Sequence, residues 1–322
     1  MKVALIGIGG MGGCHFMNYK SIPEAEIIAV ADVRTDMAKE KVEGTGAKVY
    51  ATMEELLANE KPELIDICTP SYLHADLAIK ALEAGCHVLC EKPMTLSTED
   101  AQRVLDAAKK TDKLFMVAHV VRFMEPYAYL RNVIKSGELG KLLRLDMKRI
   151  SAIPTWSWED WMRQPEKSGG TPMDLMIHDL DYVQSVLGMP DSISGIYHAL
   201  RDDNDFAVAN LMYGDTIVST EATWFHTGIP FDASFLAVFE NGFVKLAGGE
   251  LYRNGEKVDL GAAKCANEDL GINVSNADGY GVEIRYFMNC IKENKAPEMV
   301  TPESSYNSVK LVEAYRAAAV EC

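Results

Sequence analysis

The first hundred or so residues alternate between short apolar runs and longer amphipathic stretches. Val3-Ala4-Leu5-Ile6, Ile27-Ile28-Ala29-Val30-Ala31, Leu64-Ile65-Asp66-Ile67-Cys68, His87-Val88-Leu89-Cys90 and Leu114-Phe115-Met116-Val117-Ala118 have strand length and little polar alternation. Such runs fit strands buried on both faces. Between them, Met11 to Lys20, Thr35 to Glu43, Thr52 to Asn59, His74 to Ala84 and Ser97 to Lys110 carry helical patterns, and Val49-Tyr50 is a candidate short strand. Thr52-Met53-Glu54-Glu55 reads as a capping box, and Gly85 as a helix stop. Strands alternating with helices through short links predict a doubly wound parallel sheet.

The rhythm changes after His119. Arg122 to Ser136 and Asp174 to Leu187 read as helices, and 154–165 as irregular and rich in tryptophan. Leu142 to Ile150, Ile193 to Leu200, Phe206 to Met212, Ile217 to Trp224, Ala233 to Phe239 and Phe243 to Leu246 are strand candidates. The turns Tyr213-Gly214-Asp215 and Glu240-Asn241-Gly242 suit antiparallel connections. Helices follow near Tyr280 to Glu293 and Pro302 to Val320, with 261–279 a polar surface loop. The pattern predicts a dinucleotide-binding domain over 1–119 and an α+β domain with an open, mostly antiparallel sheet over 120–322. Its last helix is a candidate for packing back on the first domain.

The chain of 322 residues is long enough for two cores. A net charge of -15 argues against nucleic acid and anionic membrane partners. No apolar stretch has bilayer length, and the first strand opens at the N-terminus, so no membrane span or signal peptide is expected. Seven scattered cysteines, an odd number, point to reduced thiols and a cytoplasmic setting. Cys86 and Cys90 flank one strand candidate, and no second ligand pair has zinc spacing, so no metal site is expected.

The candidate chemistry starts where the first strand ends. Gly7-Ile8-Gly9-Gly10-Met11-Gly12 contains G-x-G-x-x-G between a strand and a helix. In that context Gly7 allows the tight turn, Gly9 lets backbone approach a pyrophosphate, and Gly12 lets helix and strand pack closely. The helix N-terminus then offers free N–H groups to phosphates. Asp32 closes the second strand at the spacing where a carboxylate reaches the adenosine ribose. It favours NAD over NADP by accepting from the 2′-hydroxyl and repelling a 2′-phosphate. Arg34, nearby, weakens that exclusion without reversing it. Thr69-Pro70 and Glu91-Lys92-Pro93 also follow strands directly, which puts them on the same sheet edge as the glycine turn.

Lys92 at that edge is either a ligand for a substrate hydroxyl or a surface lysine beside a turn. Further on, Gly169-Gly170 precedes a helix on which Asp174 and His178 are spaced i, i+4 and share a face. An imidazole is the usual acceptor of a hydroxyl proton, and a nearby carboxylate can orient it. The competing account is a capping acid and a core histidine. Trp156, Arg122 and Tyr280 are further candidates for contact with substrate. An interface plug, a surface salt bridge and a packed helix start are their respective structural accounts.

The glycine turn, Asp32, Cys68-Thr69-Pro70 with His74, Glu91-Lys92-Pro93, Arg122-Phe123 and Gly169-Gly170…Asp174…His178 occur in this order. This ordered set resembles the glucose–fructose oxidoreductase / inositol dehydrogenase / rhizopine-catabolism (Gfo/Idh/MocA) family over most of the chain. The resemblance implies that Lys92 hydrogen-bonds the reacting hydroxyl, His178 takes its proton and Asp174 positions sugar and base while hydride passes to NAD. It also implies a cis Lys92-Pro93 bond, a cofactor cleft lined by Thr69, Pro70 and His74, and a homodimer or homotetramer. Thr171-Pro172 departs from the glycine and small apolar residues common after the glycine pair, which puts the shape of the loop over the substrate in doubt. The implied function is oxidation of a secondary hydroxyl of a cyclic polyol, sugar or sugar derivative. Two alternatives stand beside it: an NAD-retaining, glycosidase-like enzyme that oxidises transiently, and a non-catalytic NAD-binding sugar sensor.

Overall fold

The computed structural model describes residues 1–260 and 279–322. The expected polar loop, except Gly279, therefore lies outside the described residues, as does Cys265. The chain divides into two compact units between Val120 and Val121.

The first unit contains strands β1 (Lys2–Ile6), β2 (Glu26–Ala31), β3 (Lys48–Tyr50), β4 (Leu64–Ile67), β5 (His87–Glu91) and β6 (Phe115–Ala118). They form a six-stranded sheet in the order β3-β2-β1-β4-β5-β6, with every pair parallel. The connecting helices are α1 (Gly10–Lys20), α2 (Thr35–Val42), α3 (Met53–Asn59), α4 (His74–Glu83) and α5 (Thr98–Ala108). This is the doubly wound sheet expected from the pattern. The central strands are buried throughout, as at Leu64–Ile67, because helices cover both faces. At α3, the Thr52 hydroxyl accepts from the Glu55 N–H at 3.2 Å, and the Glu55 carboxylate accepts from the Ala51 N–H at 3.1 Å.

The second unit contains helices α6 (Glu125–Ser136), α7 (Pro165–Ser168) and α8 (Ile177–Leu187). Its strands are β7 (Leu142–Ala152), β8 (Ser192–Arg201), β9 (Asn204–Tyr213), β10 (Thr216–Phe225), β11 (Asp232–Phe239), β12 (Gly242–Ala247), β13 (Glu250–Arg253) and β14 (Glu256–Lys257). Helix α9 (Gly279–Glu293) groups with the first unit, where it packs against α1. Within α10 (Pro302–Ala318) the division falls between Tyr306 and Asn307. The chain closes on β15 (Ala319–Glu321), where the sequence pattern continues the helix to Val320.

The nine-stranded sheet runs β14-β13-β12-β11-β7-β10-β9-β8-β15. It is antiparallel except for the β7–β10 and β8–β15 pairs. One face is covered, as the alternating burial of β7 and β10 shows. Among the described residues no helix is long and apolar enough to cross a membrane. The described cysteines are free thiols.

Candidate active site

In the first unit the glycine turn leaves β1 and becomes α1, with Gly9 at the N-cap. The glycines are required by space. A Cβ on Gly12 would lie 2.0 Å from the Gly7 carbonyl oxygen, and one on Gly7, which has φ +84°, would lie 2.8 Å from that of Cys68. Asp32 follows β2 and is nearly buried. Its carboxylate accepts from the Ile8 N–H at 3.0 Å and the Arg34 N–H at 2.9 Å, so the acid at the second strand end fixes the first loop. The Arg34 guanidinium reaches the same carboxylate, with Nε 3.3 Å away. Lys41, on α2, was not legible as a site residue. Its ammonium donates to the Ile8 and Gly9 carbonyls at 2.8 and 2.9 Å. Burial, followed by the charge of Arg34, lowers its pKa. This turn fits a dinucleotide: helix N–H groups lie where no side chain intrudes, and a carboxylate stands at the adjoining strand end.

Thr69-Pro70 and Glu91-Lys92-Pro93 leave the neighbouring strands β4 and β5 as expected, and the Lys92–Pro93 peptide is cis. His74 is buried and braces these two loops to each other. Its Nδ1 lies 2.7 Å from the Pro93 carbonyl and its Nε2 2.9 Å from that of Thr69. Burial lowers its pKa, and the hydrogen bonds to the two carbonyls oppose that shift. With both nitrogens facing main chain, His74 ties the two loops together. Glu91 is buried too, and its Oε1 is 3.0 Å from the His15 Nε2. Tyr280, a candidate for substrate contact, is buried at the start of α9 with its ring centroid 6.2 Å from that of His15.

His15, Asp66 and Glu283 form a buried polar group in this unit, and all three went unnoticed as site residues. An acid inside the apolar run Leu64–Cys68 was the visible signal for Asp66. Asp66 Oδ2 lies 2.8 Å from His15 Nδ1. Although burial opposes it, the charges of Asp66 and Cys68 and the hydrogen bonds hold His15 well above its ordinary pKa. Burial likewise drives Glu283 well above the usual carboxyl range, and neither of its oxygens has a hydrogen-bond partner among the described residues. A raised folded value means that each group binds its proton more tightly in the folded chain than in the unfolded one. Stability from His15 is therefore present below about pH 6.5 and lost as pH rises through its raised folded value. The cost from Glu283 starts to grow above about pH 4.5, its ordinary value. Unfolding free energy is expected to fall as pH rises above about 6.5, by at most about 1.4 kcal/mol per pH unit for each group, and the melting temperature falls with it. Glu283→Gln should flatten that slope in thermal scans, and an unchanged slope would contradict the assignment.

In the second unit, Gly169 and Gly170 have φ of 74° and 59°, the left-handed region that glycine enters at little cost. A Cβ on Gly170 would lie 2.6 Å from Asp205 Oδ2. Thr171 explains its own departure from the family pattern. It is buried, and its hydroxyl donates to Asp205 Oδ1 at 2.6 Å, which pins the loop to β9. Arg316 further holds the Gly169 carbonyl. Pro172–Met176 then forms a π-helical turn before α8. Asp174 sits in that wider turn, nearly buried, and His178 in the first turn of α8, half-buried. The single α-helix expected over Asp174 to Leu187 is thus interrupted at its start, and such π turns recur at functional sites.

Two buried ion pairs anchor α8. Asp179 accepts from Arg149 of β7 at 2.9 Å, and Asp181 holds Arg122 through contacts of 2.6 and 2.8 Å. Ser308 also donates to Asp181 at 2.7 Å. Arg122 thus anchors α8 through its buried pair with Asp181. Arg122→Ala leaves a buried carboxylate without its cation and should destabilise the fold by about 3–5 kcal/mol, read by denaturant unfolding. Trp156 and Trp158 are exposed at 42% and 37%, in the segment around a 3₁₀ turn at Trp158–Arg163.

The comparisons with known proteins agree with this architecture. Residues 1–119 match the model described as the oxidoreductase family, NAD-binding Rossmann fold. Residues 127–244 match the GFO/IDH/MocA C-terminal domain. The chain belongs to the GFO/IDH/MocA oxidoreductase family. Among curated relatives, it is 31% identical over 191 residues to a myo-inositol 2-dehydrogenase of Thermotoga maritima, covering 58% of this chain and 55% of that one. It is 30% identical over 220 residues to a 2,7-anhydro-N-acetylneuraminate hydratase of Mediterraneibacter gnavus, covering 66% and 58%. The matches thus span little more than half the length of these relatives. A solved levoglucosan dehydrogenase, in complex with NADH and levoglucosan, shares the fold with a TM-score of 0.85 at 21% identity, over 99% of this chain and 97% of that one.

Proposed function

We propose that the chain is an NAD-dependent dehydrogenase that oxidises a secondary hydroxyl of a cyclic polyol, sugar or sugar derivative. The observation that carries this reading is Lys92, at the end of β5, on the same sheet edge as the glycine turn and Asp32. NAD, when bound, supplies the hydride acceptor. Gly7 to Gly12 would hold its pyrophosphate, and Asp32 would accept from the adenosine ribose.

Lys92 donates to the reacting hydroxyl, and its positive charge favours the alkoxide as the proton leaves. His178 takes that proton, and Asp174 binds the sugar and orients the imidazole. The relatives named for inositol and for an anhydro sugar derivative support a hydroxyl-rich ring as substrate. Trp156 offers an exposed aromatic face that suits the C–H faces of such a ring.

The hydratase relative favours one second reading: retained NAD with transient oxidation and no net redox change. Net NADH formation under steady turnover separates the two, because a retained cofactor ends each cycle as NAD.

The open face of the larger sheet places Val320 beside Ile196 and Ile196 beside Val208. With Val320 and Ile196 exposed at 68% and 49%, this face is proposed to pair copies of the chain into a homodimer or homotetramer. Free thiols suit a reducing cytoplasm as its location.

A further inference from the structure

The buried histidine of α1 has a part that the proposed reaction leaves unused. His15 is fully buried, and both its nitrogens face carboxylate oxygens: Nδ1 is 2.8 Å from Asp66 Oδ2, and Nε2 is 3.0 Å from Glu91 Oε1. A neutral imidazole has one donor and one acceptor. Two carboxylates on its two nitrogens are satisfied together when both nitrogens carry protons. The other groups around it do not favour a neutral ring. Tyr19 lies on the same helix, the Cys68 thiol donates to Asp66 Oδ1 at 3.3 Å, and Tyr280 and the third carboxyl, Glu283, come from α9. Burial, followed by the charges of Glu91 and Asp66, raises the pKa of Glu283, whereas the charge of His15 lowers it.

Glu91 also reaches the main chain of the next residue. Its second oxygen, Oε2, accepts from the Lys92 N–H at 2.9 Å. A continuous line of hydrogen bonds therefore runs from the helix that starts at the glycine turn, through Glu91, to the backbone of Lys92. We propose that His15 is a doubly donating imidazolium that positions Lys92 through Glu91. It would thereby tie the cofactor-binding helix to the strand end that carries the lysine. His15 is a positioning residue, since it acts on Lys92 only through Glu91. The kinetic part rests on the dehydrogenase reading, whereas the protonation of the ring does not.

The ring is read directly by NMR of protein labelled with ¹⁵N-histidine, with His15 assigned by its loss in His15→Gln. One histidine is expected to keep two protonated nitrogens at about pH 8, where an ordinary imidazole is neutral. A neutral His15 at that pH would overturn the proposal. So would a stoichiometric divalent ion in the purified protein, which would replace the proton between His15 and Asp66.

Positioning is read by kinetics. His15→Gln should lower kcat about 10- to 100-fold, with NAD affinity held within about threefold. In a Glu91→Gln background, which keeps the side-chain shape and an acceptor for the Lys92 N–H, the same change should add less than about threefold. Additive losses would overturn the route through Glu91. If the wild type turns over no sugar or polyol, the dehydrogenase reading fails by itself. Positioning is then read from the NMR signal of ¹³C-methylated Lys92. That signal should move in His15→Gln, and an unmoved signal would overturn the proposal.

Discussion

Replacing Lys92 with alanine is expected to lower kcat about a thousandfold while NAD affinity stays within about threefold of the wild type. In the proposed role the lysine would contribute a donor and a charge at the reacting oxygen, where they count most as the hydroxyl loses its proton. The glycine turn and Asp32 do not depend on its side chain, so the dinucleotide should still bind. His178→Ala should cost a similar factor, because the proton then lacks its acceptor. The double variant should be little worse than either single one, since residues that act on one proton transfer are not additive. Stopped-flow and steady-state kinetics, with NAD binding by calorimetry, measure both parts. A Lys92→Ala enzyme with near wild-type kcat would remove the lysine from the chemistry.

Asp32→Asn is expected to shift the preference between NADP and NAD by about 10- to 100-fold toward NADP, as the ratio of kcat/KM values. A hydrogen bond from the ribose to a carboxylate contributes about 1.5–3 kcal/mol, and its loss weakens NAD by about that factor. Removing the negative charge also removes the repulsion of a 2′-phosphate. Arg34, now turned toward Asp32 with Nε at 3.3 Å, loses its anionic partner and becomes available to the phosphate. Lys41, on the neighbouring helix, adds a second cation close to the glycine turn. Asparagine retains an acceptor for the Ile8 N–H, so the loop should keep its anchor. An unchanged cofactor ratio would mean that Asp32 serves the loop alone.

The sheet of the first unit was legible because its strands are uniformly apolar and its turns carry glycine, proline and capping residues at fixed offsets. Gly7, Gly9 and Gly12 announced themselves through spacing, and their tight contacts with backbone explain that spacing. The functions of single polar side chains were less legible, since a residue type does not state its partner. Arg122 read as a ligand or as a surface salt bridge, and its buried pair with Asp181, far along the chain, had no local signal. That both nitrogens of His74 lie against main-chain carbonyls had no signature in the sequence. Thr171 looked like a departure that alters the loop, yet its hydroxyl fixes the loop to Asp205. The π turn around Asp174 had no signature, because it differs from an α-helix by one residue in hydrogen bonding and not in apolar pattern. The placement of α9 with the first unit likewise depends on a long-range contact with α1 that no local pattern encodes.

The central claim is that this chain carries out net oxidation of a hydroxyl on a polyol or sugar ring with NAD. The most direct measurement follows NADH absorbance with the purified protein, NAD and a panel of inositols, aldoses, amino sugars and sugar acids. NADH is expected to accumulate over many turnovers with one subclass, and His178→Ala to abolish it. Bound NAD with no NADH formed from any member of the panel would contradict it.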